Sequence, residues 1–390
     1  MIISLRKSRF YKPLLYLGAS ICLILIFWLG TKIVGAPKWI QIDDYVEYWS
    51  AGQLNLYGGN PYSPEQLLPL QLDTGRTFGV PVMMWNPPWM MLISMPFSVI
   101  SYPISRVMWI IFFVILIIFS VNMTWQTFGG DRKFRWIAWL VGLSFLPILE
   151  ALKTGQTGPL LLLGAAGYLY FVKQNKLWLA GVLLSLLMVK PHILYLVLFS
   201  VLLWSIYEKQ YRILLGMGFA LIFATLIAWI ANPNVIQQYF FAIANYPPQD
   251  WATPTIGGIV RFLAGPDLFW LQFLPPLLGG IWLFTYWFRN RNNWDWIEQT
   301  PLIILVSIFT AAYGWTSDQS ASLIPILQIF ILLIPINFRN KKQMLVLCSY
   351  IGIEVLLFIP LGNQLWNFWV APTILIWYLL ARSSLRSAIK

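Results

Sequence analysis

Charge is what this 390-residue sequence has least of. Asp, Glu, Lys and Arg together make up 10% of it, against roughly a quarter in a soluble globular domain. Hydrophobic residues make up 59% and the mean hydropathy is +0.69. So few charges cannot cover the surface of a soluble protein of this length. The composition excludes a soluble enzyme, a disordered chain and a coiled coil, and it implies an all-α polytopic membrane protein. Histidine occurs once, at His192, which excludes a multi-histidine metal site. Cys22 and Cys348 both sit inside apolar runs and read as packing residues, not as a disulfide or a metal pair. There is no glycine-rich phosphate loop followed by Lys-Ser/Thr and no dinucleotide fingerprint, which argues against an ATP-driven pump. The net charge of +12 is no sign of nucleic acid binding, because Lys and Arg fall in short clusters between apolar runs, as in cytoplasmic membrane loops.

The first apolar run, Pro13 to Gly30, follows Arg6, Lys7 and Arg9. It reads as a retained span, although Val34-Gly35-Ala36 faintly resembles a cleavage site. Further runs lie near 104–125, 136–150, 157–172, 177–190, 192–207, 211–231, 268–288, 297–313, 319–337, 343–360 and 365–381. Together they predict a single membrane domain over 1–390 with about twelve transmembrane helices, several of them short of the ~20 residues a span needs. Residues 89–100 form a short apolar piece, re-entrant or interfacial. A long polar segment at about 33–88, rich in Gly, Pro, Asn and Asp, reads as a first extracytoplasmic loop with short elements. A second outer loop falls at about 232–267. With a cytoplasmic N-terminus, Lys32, Lys38, Arg76, Arg106, Lys153, Lys190 and Arg261 lie outside and the remainder of the 26 basic residues lie inside. Inverting the chain would reverse that asymmetry, so both termini are expected in the cytoplasm, at the plasma (inner) membrane.

The polar residues that could do chemistry share the outer side. Asp43, Asp44, Gln156, Lys190, His192, Arg261, Asp318 and Gln319 all map to outer loops or the outer ends of spans. Any one of them could be there by chance, but several stand beside Gly or Pro, where helices stop and loops converge. Glu354 sits within a span, either as a satisfied interior carboxyl or as a proton or ion site. The aromatics Trp49, Tyr62, Trp85, Trp89, Tyr246 and Trp251 fit an interface belt, with room for one or two to stack on a sugar or line a lipid groove.

The segments Asp44-Tyr45-Val46-Glu47-Tyr48-Trp49-Ser50-Ala51-Gly52, Gly58-Gly59-Asn60-Pro61-Tyr62 and Trp85-Asn86-Pro87-Pro88-Trp89 resemble the first outer loop of glycosyltransferase family 87. The likeness continues at Lys153-Thr154-Gly155-Gln156-Thr157-Gly158, at Lys190-Pro191 and at Trp315-Thr316-Ser317-Asp318-Gln319, from about residue 40 to 335. That family belongs to the GT-C superfamily of polytopic transferases. The resemblance implies a GT-C-type helical bundle and an outer-face enzyme that takes a hexose, often mannose, from a polyprenyl-phosphate donor. It implies Asp44 as the catalytic base, with Asp43 as a neighbouring acid that leaves the choice open. It makes Gln156, Lys190 and Asp318 cavity residues, with His192, Gln319, Tyr62 and Trp85 as further candidates. Better-known members often carry a His near the Asp318 position; here Ser320 and Ala321 follow Gln319.

The residue chemistry runs the same way. Sugar transfer from a phosphate-linked donor needs a carboxylate to take the acceptor hydroxyl's proton and a cation to steady the departing phosphate, for which Arg261 and Lys190 are the candidates. Asp43-Asp44 lacks the intervening residue of a paired-acid nucleotide-sugar site, so neither a metal nor another cofactor is expected. The partners implied are membrane lipids, a polyprenyl-phosphate-linked sugar donor and a lipid or glycan acceptor. Two other readings remain open, a secondary transporter or lipid flippase and an envelope glycan polymerase or ligase. A transporter should show midplane ionisable groups and related halves; the sequence offers Glu354 and no evident internal repeat.

Overall fold

The computed structural model describes residues 20, 24–25, 27–248, 251–265, 267–334, 341–359 and 363–389. The basic N-terminal flank, most of the first expected span and Cys22 lie outside them. The described residues are helical, with no strand among them. From residue 45 onward the helices in chain order are α1 (Tyr45–Leu56), α2 (Pro64–Asp73), α3 (Met91–Ser98), α4 (Tyr102–Thr127), α5 (Arg135–Ser144), α6 (Leu146–Thr154), α7 (Gly158–Lys173), α8 (Leu177–Leu184) and α9 (Tyr195–Tyr207). They continue as α10 (Arg212–Ala231), α11 (Val235–Asn245), α12 (Ile256–Ala264), α13 (Leu274–Asn290), α14 (Trp296–Phe309), α15 (Leu323–Leu333), α16 (Lys341–Leu357) and α17 (Val370–Ile389).

The apolar runs of the sequence fold as helices, but fewer reach span length than their number implied. Among the described residues four stretches are long and apolar enough to cross a membrane: Tyr102–Thr127, Arg212–Ala231, Thr316–Leu333 and Gln364–Leu385. A fifth forms if α5 and α6, bent by 55° at their break, count as one broken span. The break falls beside Pro147, whose ring cannot continue a straight helix. In the same way Pro191 keeps Lys190 out of helical geometry, and α8 ends in a tight turn over Ser185–Val189. Glu354 of α16 accepts from the backbone N–H of Leu146 at the N-terminus of α6 (3.4 Å), so this carboxyl serves the broken span.

The long helices have two faces. On α4, Ile104, Met108, Ile111, Ile115 and Phe119 are exposed, while Trp109, Phe113, Ile117 and Val121 are buried. Both sets recur at helical spacing, one facing outward as apolar surface and one facing the core. The stretch Thr316–Leu333 is buried on nearly all sides and runs through the middle of the bundle.

The segment expected as the first outer loop is more helical than its composition suggested. α1 forms across Gly52 because Tyr45, Tyr48 and Trp49 all bury, and because Gly52 rests on Ser94 and Ser98 of α3, where any side chain would collide. Tertiary packing here overrides the turn-forming composition. The short apolar piece at 89–100 becomes a turn over Pro88–Met90 and then α3, the floor beneath α1. The segment expected as the second outer loop likewise contains α11 and α12.

Candidate active site

The Lys153–Gly158 motif is the frame on which the site is built. Gly155 ends α6 in left-handed geometry (φ +81°), and a Cβ on it would lie 2.5 Å from the Cβ of Tyr45. At the start of α7, Gly158 lies against the backbone of Ser317 with no room for a side chain. The motif is therefore held between the start of α1 and the turn Thr316–Ser322. That places Gln156 among Asp44, Lys190 and Asp318.

Gln156 connects the charges. Its amide oxygen accepts from the Lys190 ammonium (2.8 Å) and from the Tyr48 hydroxyl (3.2 Å), and its amide nitrogen donates to the Asp44 carboxylate (3.1 Å). Lys190 also donates to Asp318 (2.7 Å), whose other oxygen accepts from the backbone N–H of Trp315 (2.9 Å).

The geometry separates the two adjacent acids. Asp43 is 3% exposed and accepts from the Arg106 guanidinium (2.7 Å), the Tyr102 hydroxyl (2.6 Å) and the Tyr45 backbone (3.2 Å). Arg106 in turn donates to the carbonyls of Leu152 and Lys153. This buried ion pair fastens α1 to the end of α6 and leaves Asp43 little capacity for a substrate. Asp44 is half-buried, and its backbone N–H donates to Thr154 (2.8 Å). Burial raises the proton affinity of the Asp44 carboxyl above the ordinary range; the Gln156 hydrogen bond opposes the rise, the Asp43 charge adds to it, and Lys190 and Arg76 oppose it.

Asp44 stands on the wall of two cavities. One, of about 830 Å³, is lined by Asp44, Glu47, Arg76, Trp85, Gln156, Lys190, His192, Trp251, Tyr313, Trp315 and Asp318 among others. The second, of about 340 Å³, shares Asp44, Gln156 and Trp315 with the first and adds Glu150, Lys153, Thr154, Ser317 and Gln364. Glu150, Lys153 and Gln364 also border a larger cavity of about 730 Å³ with apolar walls, including Leu146, Leu149, Phe358 and Ile359.

Of the residues singled out from the sequence, Asp44, Gln156, Lys190, His192, Asp318 and Trp85 meet in the 830 Å³ cavity. His192 is exposed there, with its ring edge-to-face to Tyr313. Four others do not meet there. Asp43 faces the apolar cavity from within its ion pair. Arg261, 8% exposed, donates to Gln272 (3.0 Å) and lies over the Phe269 ring (4.9 Å), because α12 turns it toward the 269–273 segment and away from Asp44. Tyr62 is buried against Tyr239, and its hydroxyl donates to the Asn86 carbonyl (3.2 Å), so it supports the loop without reaching the cavity. Gln319 turns into a small separate pocket beside Thr255.

Two cavity residues had not been singled out. Glu47, 6% exposed, lies one helical turn beyond Asp44, and burial with the Asp44 charge pushes its carboxyl up to about 8, so it carries a proton at neutral pH. Its i, i+3 spacing from Asp44 was the available signal. Arg76 enters from the loop after α2, and no sequence pattern marks it.

A family model for Glycosyltransferase family 87 matches residues 85–337; the match begins after Asp44 and covers well over half of the chain. Among curated proteins the chain is similar to the Alpha-(1->3)-arabinofuranosyltransferase of Corynebacterium glutamicum, 22% identical over 240 residues, which is 59% of this chain and 55% of that protein. The chain thus spans about half the length of that relative. No solved structure matches. With a helical fold that carries apolar spans and a family match over most of its length, this chain belongs to glycosyltransferase family 87.

Proposed function

We propose that the protein transfers a sugar from a polyprenyl-phosphate donor to a lipid or glycan acceptor on the extracytoplasmic face of the plasma membrane, with Asp44 as general base. The observation that carries this reading is the position of Asp44 on a wall common to two cavities. A transferase must bring two substrates together at one base, each by its own approach. In the step proposed, the Asp44 carboxylate takes the acceptor hydroxyl's proton as that oxygen bonds to the anomeric carbon. The bond from that carbon to the phosphate oxygen breaks, and polyprenyl phosphate leaves as an anion. Phosphate is a good leaving group, so no strong general acid is required.

The sugar proposed first is a hexose, mannose. Arabinofuranose is the second to try, since the Corynebacterium relative carries that sugar in its name. Aromatic rings around the larger cavity (Trp85, Trp251, Tyr313 and Trp315) are suited to stacking on a sugar. The bundle of about twelve spans with both termini inside belongs to this reading, on the charge asymmetry of the loops. The transporter alternative loses its main support where Glu354 is engaged at the N-terminus of α6.

The test is transfer by the purified protein in lipid nanodiscs, given polyprenyl-phosphate mannose or polyprenyl-phosphate arabinofuranose with membrane-lipid acceptors. Labelled sugar on an acceptor is expected from the wild type and not from Asp44→Asn. A folded wild type that moves neither sugar would overturn the reading, as would full activity in the Asp44→Asn protein.

A further inference from the structure

We propose that Arg76 holds the phosphate of the donor, which places the donor in the 830 Å³ cavity and the acceptor on the opposite side of Asp44. This assignment rests on the transferase reading above. The cations around Asp44 differ in their partners. Three line the two cavities that share Asp44, and two already have carboxylate partners: Lys190 with Asp318 (2.7 Å) and Lys153 with Glu150 (3.2 Å). Arg76 lines the cavity with no carboxylate at ion-pair distance among the described residues, and its Nε is buried without a hydrogen-bond partner. Its guanidinium lies over the Phe78 ring (5.2 Å). A buried N–H without a partner, as at the Nε of the half-buried Arg76, is costly unless an anion or water completes it. The planar fork of arginine fits two phosphate oxygens at once.

The loop that carries Arg76 is fastened at both ends. Gln41 donates to the Gly75 carbonyl (3.2 Å) and accepts from the backbone N–H and the hydroxyl of Thr77. The buried Gln71 donates to the Val82 carbonyl (2.8 Å) and accepts from the Val82 N–H (2.8 Å). Arg76 is thus presented from a strap of defined shape. Between the fastenings, Phe78 and Val80 are exposed apolar side chains on the same cavity rim, and exposed Ile243 of α11 continues that rim. A prenyl chain attached to a phosphate at Arg76 would leave along this apolar edge. The second side of Asp44, whose one lining cation, Lys153, is already paired with Glu150, suits an acceptor hydroxyl that brings no phosphate to the reacting end.

The test measures binding and transfer on the full-length protein in detergent or nanodiscs. The probes are farnesyl phosphate and, as the control without phosphate, farnesol. Arg76→Ala should weaken farnesyl phosphate binding by about tenfold or more, the scale of lost charge-assisted hydrogen bonds, and leave farnesol binding unchanged. Arg76→Lys should fall between, since it keeps the charge and loses the fork. In the transfer assay Arg76→Ala should raise the donor KM by a similar factor and leave the acceptor KM alone. If the alanine protein fails to fold, Arg76→Gln takes its place. Farnesyl phosphate binding and a donor KM equal to wild type in a folded Arg76 variant overturn the assignment while leaving the transferase reading intact. Arg76-dependent farnesyl phosphate binding in a wild type that transfers no sugar supports the phosphate site and overturns the transferase reading instead.

Discussion

The carboxamide of Gln156 donates to the carboxylate of Asp44 at 3.1 Å, although 112 residues separate the two in the chain. The oxygen of the same amide faces Lys190, so the amide cannot turn over without losing both contacts. Asp44 is therefore held in place by a neutral group that reports to a buried charge pair. This arrangement fixes its direction and leaves one face of the carboxylate for a substrate.

The two neighbouring acids should fail in different ways. Asp44→Asn is expected to lower kcat by about 10²–10⁴-fold, the usual contribution of a general base, with an unchanged melting temperature. Asp43→Asn leaves Arg106 buried without its charge partner, at a cost of roughly 3–5 kcal/mol. It should lower the melting temperature sharply and spare turnover per folded molecule. Assay of both variants beside a thermal melt separates the roles, and the reverse pattern would exchange them.

The pH profile should report Asp44. The base works when ionised, so activity is present above its raised pKa and is lost as pH falls through it. The acid limb should therefore lie above the ordinary carboxylate range. Gln156→Leu removes the hydrogen bond that most opposes the rise. The limb should then move to higher pH by about one unit, the equivalent of one hydrogen bond to a charged group. A limb that stays put or moves to lower pH would show that Asp44 is not the titrating group.

Glu47 sets the alkaline side. Its pKa is about 8 in the folded protein and near the ordinary carboxylate value when unfolded. The folded state thus binds the proton more tightly, and stability falls as pH rises between those two values. Above about 8 a second negative charge would stand beside Asp44, against an anionic donor. Glu47→Gln copies the protonated form. It should match wild type at pH 7, keep its activity above pH 8 where wild type declines, and melt with little pH dependence between the ordinary carboxylate value and about 8, where wild type loses stability. A wild-type decline shared by the variant would remove Glu47 from the explanation.

Gly155→Ala should be damaging far beyond the size of a methyl group. The residue has φ +81°, and its new Cβ would meet the Cβ and backbone of Tyr45, neither of which can swing away. A loss of roughly 2 kcal/mol or more is expected, read as a lower melting temperature. The variant should also lose activity, because the same clash displaces Asp44, which bonds to Thr154.

Chelation should leave the transfer rate unchanged. The carboxylates of the cavity are already committed, Asp318 to Lys190 and the Trp315 backbone, Asp44 to Gln156 and Glu47 to its proton. Strong inhibition by EDTA would overturn the metal-free reading.

Composition and residue order were enough to expect an all-helical membrane protein, to carry the family resemblance, and through it to name Asp44, Gln156, Lys190 and Asp318 as candidates for one cavity. Those features follow from hydropathy and from short motifs, both of which are local along the chain. That several central runs fall short of a span was legible, but where the runs break was not, because prolines such as Pro147 and Pro191 interrupt them at points whose outcome depends on neighbouring helices. The fate of each charge was not legible either. Arg261 and Lys190 were the expected phosphate ligands, yet the turn of α12 gives Arg261 to Gln272 and Phe269, while Arg76, which was not a site candidate, reaches the cavity on a strap held by two glutamines. Asp43 and Asp44 are adjacent and chemically identical, and only packing sends one into an ion pair with Arg106 and the other to a cavity wall. Sequence sets which charges exist; the directions in which helices and loops point them, and which partners they meet, arise from contacts between residues far apart in the chain, and those exist only once it has folded.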